Sequence, residues 1–177
     1  MEMRSYSDMV RSAAAARSGE PIFNGSADHA AVIIEELFSS AISEVRLVTG
    51  DLSALVYGRT PLVQRAKQFL GHSSHKLTVI VETMDVSPTH PFMQAVAGNA
   101  NVSFRKLYDD ASAKMPYHFM TADNDCFRFE KIKNSHTAVA AFGDEKTTTH
   151  LNELFDILVN LSEEVVQPTI TPPAMAL

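Results

Sequence analysis

Between residues 21 and 108, short apolar runs alternate with amphipathic stretches, and few folds accommodate that order. The most telling run is Leu77-Thr78-Val79-Ile80-Val81, closed by Glu82. It is nearly continuous in apolar residues, the pattern of a strand covered on both faces. Residues 45–49 and 102–108 read as further strands, and residues 21–25 as a short strand and turn. Between them, Ala31, Ile34, Leu37, Phe38 and Ala41 recur at helical spacing, so residues 28–43 form a helix with Ser26 or Asp28 as N-cap. The helix over 60–70 has Thr60 as its cap, Pro61 at the first helical position and Gly71 just past its end. A short helical turn is expected over 53–57, and another helix starts at His90-Pro91 and stops at Gly98. Such alternation calls for an α/β fold: a mixed, largely parallel sheet with helices on both faces.

After residue 108 the pattern changes. Residues 109–115 are small and polar, a loop by composition. Residues 117–130 read as strand, turn and strand, which adds antiparallel pairing. Asp123-Asn124-Asp125 supplies the turn, since Asp and Asn tolerate turn geometry and satisfy local backbone groups. A last strand covers 137–142. The longest helix covers 147–164, with Leu151, Leu154, Phe155, Leu158 and Leu161 at spacings of three and four. The expected organisation is an N-terminal helix within 1–19, one domain over 20–165, and a flexible Pro-containing tail over 166–177. The Ala-rich N-terminal helix lies outside the main alternation and packs either on the domain or on a second copy.

With 177 residues and 45% hydrophobic content, the chain is long and apolar enough for one sizeable core. Its net charge of −6 disfavours general nucleic-acid binding, which needs a phosphate-neutralising basic face. One cysteine, Cys126, excludes an internal disulfide framework and a Cys-based zinc site. The start, Met1-Glu2-Met3-Arg4-Ser5, lacks the basic-then-apolar order of a signal peptide, and no apolar run approaches the roughly 20 residues of a membrane span. A cytoplasmic protein without membrane contact is therefore expected. Nothing resembles a nucleotide-binding Gly loop, and no cofactor is expected. No metal is expected either, because His72 and His75 lack further ligands. His29 and His90 stand near helix starts and read as structural.

His118 on an extended strand, Asp125 seven residues later, the hairpin, a final strand and a long C-terminal helix together resemble the phospholipase D-like superfamily over about residues 20–165. The helix leading into 45–48 and the helix leading into 77–81 support the likeness. The resemblance implies a phospholipase D-like fold. It implies that His118 would attack phosphorus as a nucleophile, with Asp125 in a mainly supporting role. It also implies a homodimer, because single-motif nucleases of this size pair two chains so that two motifs form one active site. The family motif carries a lysine two residues after the histidine to hold phosphate charge. Here that position is Met120, whose thioether donates no hydrogen bond and carries no charge. The family's later Gly-Ser is absent from the region Lys131-Ile132-Lys133-Asn134-Ser135, and Ser135-His136-Thr137 replaces an acidic residue before the last strand.

His118 thus has three readings: a packing residue of the sheet, a binding residue in a leftover phosphate pocket, or a working nucleophile. Arg128, Lys133, Ser135 and His136 are the other candidates for binding a phosphate-containing ligand. Arg128, Lys131 and Lys133 also fit an edge strand with charges turned to solvent. The leading expectation is a catalytically inactive phospholipase D-like domain with a binding, regulatory or assembly role, as a homodimer or with a protein partner. The alternatives are a divergent phosphodiesterase or nuclease, and an unrelated α/β interaction module.

Overall fold

The structure, a computed structural model, describes residues 5–87 and 89–166. Among them are eight strands and seven helices. The strands are β1 (Ile22–Asn24), β2 (Glu44–Thr49), β3 (Lys76–Val81), β4 (Val102–Leu107), β5 (His118–Ala122), β6 (Cys126–Glu130), β7 (Ala138–Phe142) and β8 (Ser162–Glu164). The helices are α1 (Tyr6–Ala16), α2 (Ala27–Ser40), α3 (Ala54–Tyr57), α4 (Thr60–Leu70), α5 (Pro91–Val96), α6 (Asp109–Lys114) and α7 (Glu145–Asn160). All strands join one sheet in the order β1-β7-β6-β5-β2-β3-β4-β8.

Alternation along the strands sorts side chains between two cores. Val45, Leu47, Val79 and Met120 face α1, α2, α4 and α5, whereas Val48, Ile80, Phe119 and Phe127 face α7. In the first core, Phe38 of α2 meets Phe69 of α4 at 5.9 Å and Phe92 of α5 at 6.3 Å between ring centroids. In the second, Phe119 meets Phe155 of α7 edge-on at 6.4 Å. Each such fully buried ring contributes roughly 1.5–3 kcal/mol.

The α/β class is as expected, but the balance of pairing is not. Only β2–β3 and β3–β4 are parallel, and the other five pairings are antiparallel. The β5–β6 hairpin inserts beside β2 and carries β7 and β1 with it, so the parallel strands become a minority. Three local expectations also change. Residues 109–114 form α6 rather than a loop, with Asp109 and Asp110 in the first turn and Lys114 in the last complementing the helix dipole. The last helix starts at Glu145, capped by the Asp144 side chain, which accepts from the Thr147 N–H at 2.9 Å. It ends at Asn160 because residues 162–164 leave the helix to pair with β4, an unpaired edge that overrides local helix preference. Thr60 lies inside α4, whose N-cap is Arg59.

α1 packs on the domain. Val10 is fully buried, and the Tyr6 ring stacks on His29 at 3.7 Å. The Tyr6 hydroxyl donates to the Phe23 carbonyl at 3.2 Å, satisfying an acceptor on edge strand β1. Apart from Val166, the tail expected over 166–177 lies outside the described residues.

Candidate functional site

β5 turns His118 and Met120 to one face. The β5–β6 register sets Glu130 opposite His118 and Arg128 opposite Met120, so these four side chains form one patch under α2 and α3. The patch sits at the C-terminal end of β2 and β3, where open α/β sheets place their sites. All four residues are at most 6% exposed, and the cavity between them is about 30 Å³, room for about two waters.

Each of the three guanidinium nitrogens of Arg128 donates a hydrogen bond. Its Nε donates to Asn24 Oδ1 at 3.2 Å, one terminal nitrogen to Glu130 Oε2 at 3.2 Å, and the other to the His136 carbonyl at 3.4 Å. Asn24 Nδ2 donates to the same carbonyl, and the His136 N–H donates to Glu130 Oε1 at 3.4 Å. The guanidinium therefore fastens β1, β6 and the 131–137 loop to one another. It is not a solvent-facing edge charge, since β6 lies inside the sheet and Arg128 is 5% exposed.

At the mouth, Lys133 Nζ donates to Glu82 Oε1 at 2.7 Å and to the Ser112 carbonyl at 3.4 Å. The other oxygen of Glu82 stands 3.8 Å from His118 Nε2, near enough to attract a proton but too far for a hydrogen bond. His118 Nε2 is buried with no hydrogen-bond partner. Burial pushes the His118 pKa down, the attraction of Glu82 and Glu130 opposes this, and Lys133 adds to the lowering; burial prevails. The imidazole is therefore neutral near pH 7. A Cβ on Gly50 would lie 3.4 Å from the His118 ring and 3.6 Å from Asn134 Oδ1, so glycine there lets the β2 end approach closely. Leu52, two residues on, holds φ +58 while buried, a strained conformation of the kind that clusters at sites.

The lowered His118 pKa has a measurable consequence. The folded pKa lies below the unfolded value near 6.5, so the unfolded chain takes up the proton first as pH falls. The stabilising effect of keeping His118 neutral is present above pH 6.5 and is lost as pH falls toward the folded pKa. His90, lowered chiefly by burial, acts in the same sense. Urea midpoints measured from pH 7.5 to 5 should decline, and His118→Gln should flatten part of that decline.

The sequence candidates are not all brought together. Asp125 sits past the other end of β5, on the order of 14 Å from His118 along the strand. There the Arg17 guanidinium grips both its oxygens, with Nε at 3.1 Å. Asp125 thus ties α1 to the hairpin and is no acid–base partner of His118. Ser135 Oγ donates to the Ile132 carbonyl within its turn, whereas His136 lines the cavity. Cys126 is buried and its thiol pKa is pushed up to about 12, chiefly by desolvation. The His72 and His75 rings meet at 4.6 Å with a 35° tilt, and among the described residues no three His, Cys, Asp or Glu side chains are grouped to hold a metal. Glu82 and Asn24 were missed by sequence reasoning. For Glu82 a signal existed, a charge at the end of an apolar strand; for Asn24 none did.

No protein-family model and no curated protein matches the sequence. Solved structures do match the fold. Nuc from Salmonella typhimurium, a phospholipase D family member, superposes with a TM-score of 0.57 at 13% identity over 82% of this chain and 99% of Nuc. NucT from Helicobacter pylori gives 0.58 at 12% identity over 82% of this chain and 99% of NucT. TrmBL2, an archaeal chromatin protein with a novel mode of DNA binding, gives 0.62 at 13% identity over 84% of this chain but 55% of TrmBL2. Among the described residues no helix is long and apolar enough to cross a membrane. With the hairpin strand bearing His118 set antiparallel against a parallel β2–β3–β4 unit and α7 laid across the back, the chain has the fold of the phospholipase D-like superfamily.

Proposed function

We propose that the chain is a non-hydrolytic phospholipase D-like domain whose role is binding or assembly, as a homodimer. The observation that carries this reading is the company of His118. Lys133, the cation that bears on it, is already paired with Glu82, and the second oxygen of that carboxylate faces the imidazole. A phosphoryl group arriving there meets a carboxylate before it meets a free cation. Met120, in the place of the motif lysine, is only 1% exposed and stabilises the core instead.

Cleavage of a chromogenic phosphodiester tests this directly. The wild type should show no turnover above background, and His118→Ala should be indistinguishable from it. Loss of a true nucleophile lowers a measurable rate by roughly 10³-fold or more, and such a drop would sink the reading.

Lys133 and the Asn134 side chain beside His118 favour a second reading, a divergent phosphodiesterase. It requires Lys133 to leave Glu82 for the substrate. Glu82→Gln should then raise the affinity for tungstate, a phosphoryl mimic, in a way that Lys133→Ala abolishes. If Glu82→Gln leaves tungstate binding absent, this alternative is removed.

A further inference from the structure

Gly50 follows β2 directly and passes beside the His118 imidazole. Its backbone does not require glycine, because its φ lies outside the left-handed region. Even at this close approach a side-chain carbon would fit. A Cβ would stand 3.4 Å from His118 Cε1, 3.6 Å from Asn134 Oδ1 and 3.8 Å from His118 Nε2, all ordinary contact distances. Glycine therefore leaves a methyl-sized space beside the ring, one that alanine would fill.

His118 Nε2 borders that space without a hydrogen-bond partner, on a side chain only 7% exposed. Glu82 Oε2 stands 3.8 Å from it, while Lys133 is bound to the other oxygen, Oε1, and to the Ser112 carbonyl. With its proton on Nδ1, the neutral imidazole presents a lone pair at Nε2. Three acceptors, Nε2, Glu82 Oε2 and Asn134 Oδ1, thus gather at the end of β2, and lone pairs that face one another call for a donor. A donor seated between Nε2 and Oε2 reaches both, since a hydrogen bond spans about 3 Å. The charges agree. Glu82 and Glu130 act on His118 and Asp51 lines the cavity, three carboxylates against the two cations Arg128 and Lys133. A bare metal ion does not suit the set, because among the described residues no three His, Cys, Asp or Glu side chains are grouped to hold one.

We infer that the His118 pocket receives a primary ammonium group, R–NH3+, whose N–H donors are shared among His118 Nε2, Glu82 Oε2 and Asn134 Oδ1. This rests on the non-hydrolytic reading above and names the class of ligand. An ammonium group is about the size of a methyl group, so it fits the space beside Gly50, and its three donors match the three acceptors. The cavity of about 30 Å³ admits the head group alone. The organic stem leaves past Asp51 and Asn134, both exposed. A quaternary amine is refused, being larger and having no N–H to donate.

Titration of the full chain near pH 7 with methylammonium chloride tests the inference, with sodium chloride and tetramethylammonium chloride at matched ionic strength as controls. The readout is the nitrogen and proton resonances of the His118 imidazole. Methylammonium should shift the Nε2 resonance and neither control should. A ligand of two heavy atoms is held to a dissociation constant in the millimolar range. Gly50→Ala, which puts a methyl group in the space, should abolish the shift while the thermal midpoint stays level or rises, as expected where alanine fits a glycine site. Glu82→Gln should raise the dissociation constant about 10-fold or more. Lys133→Met should lower it, because a neighbouring like charge is gone, whereas an anion pocket would lose its ligand by the same change. Circular dichroism confirms that each variant is folded. A wild type that responds to methylammonium no more than to sodium, far above the millimolar range, overturns the inference. So does a Gly50→Ala protein that binds as tightly as the wild type, or tungstate binding that Lys133→Met abolishes. The phosphodiester assay on His118→Ala judges the non-hydrolytic reading separately.

Discussion

Arg128→Ala should destabilise the protein by about 3–5 kcal/mol, among the largest effects of any single polar substitution in the fold. The ion pair it breaks is buried on both sides: Arg128 and Glu130 side chains are 6% and 7% exposed and 3.2 Å apart. Removing the guanidinium leaves the Glu130 carboxylate desolvated, its remaining contact being the His136 N–H at 3.4 Å. It also leaves Asn24 Oδ1 without its donor and takes one of two donors from the His136 carbonyl, loosening β1 and the 131–137 loop together. Most of the cost is that of the stranded charge, so Arg128→Met with Glu130→Leu should recover much of it. Urea unfolding at pH 7 of the wild type, the single variant and the double variant measures both effects. If Arg128→Ala costs under about 1 kcal/mol, the pair is solvated in solution and the closed pocket is wrong.

Gly143→Ala is the second large effect expected. Gly143 has φ +92, where an L side chain is already strained. A Cβ there would lie 2.1 Å from the Arg17 carbonyl oxygen, a backbone atom that cannot swing aside. The end of α1 must then lift from the sheet, which draws the Arg17 guanidinium away from Asp125 and strains the Gly19 N–H to Phe142 carbonyl bond of 2.9 Å. Strain and overpacking together should cost about 3 kcal/mol or more. Hydrogen exchange separates this from general loosening, since protection should fall first in α1 and β7. Arg17→Ala, which removes only a half-exposed contact, should cost far less, within about 1 kcal/mol.

The two variants also separate what could be read in advance from what could not. The α2 and α4 stripes, the Asp123-Asn124 turn and the apolar β3 were legible because each depends on neighbours a few residues away. Helix period, turn chemistry and burial on both faces are properties of short segments. Reading the chain from 21 to 108 as a repeating unit projected parallel pairing onto strands that follow other rules. α6 and β8 were missed because helix-dipole compensation in a six-residue segment and an open β4 edge outweigh composition. The likeness through His118 and Met120 located the patch. Arg128 and Lys133 were candidates beside His118, but their pairing with Glu130, Asn24 and Glu82 was not legible.

From its sequence alone this chain determined most of its element types, its two-faced sheet and an uncharged thioether at position 120, because spacing and residue chemistry are local and need no partner to be defined. The tertiary structure decided strand direction, the Arg128–Glu130–Asn24 clamp and the Glu82–Lys133 pair at His118. Those contacts join residues 51 and 104 positions apart in the cases of Lys133 with Glu82 and Arg128 with Asn24. Charges so distant along the chain acquire an energy of interaction only after the strands between them have paired and water has been driven from the space they share.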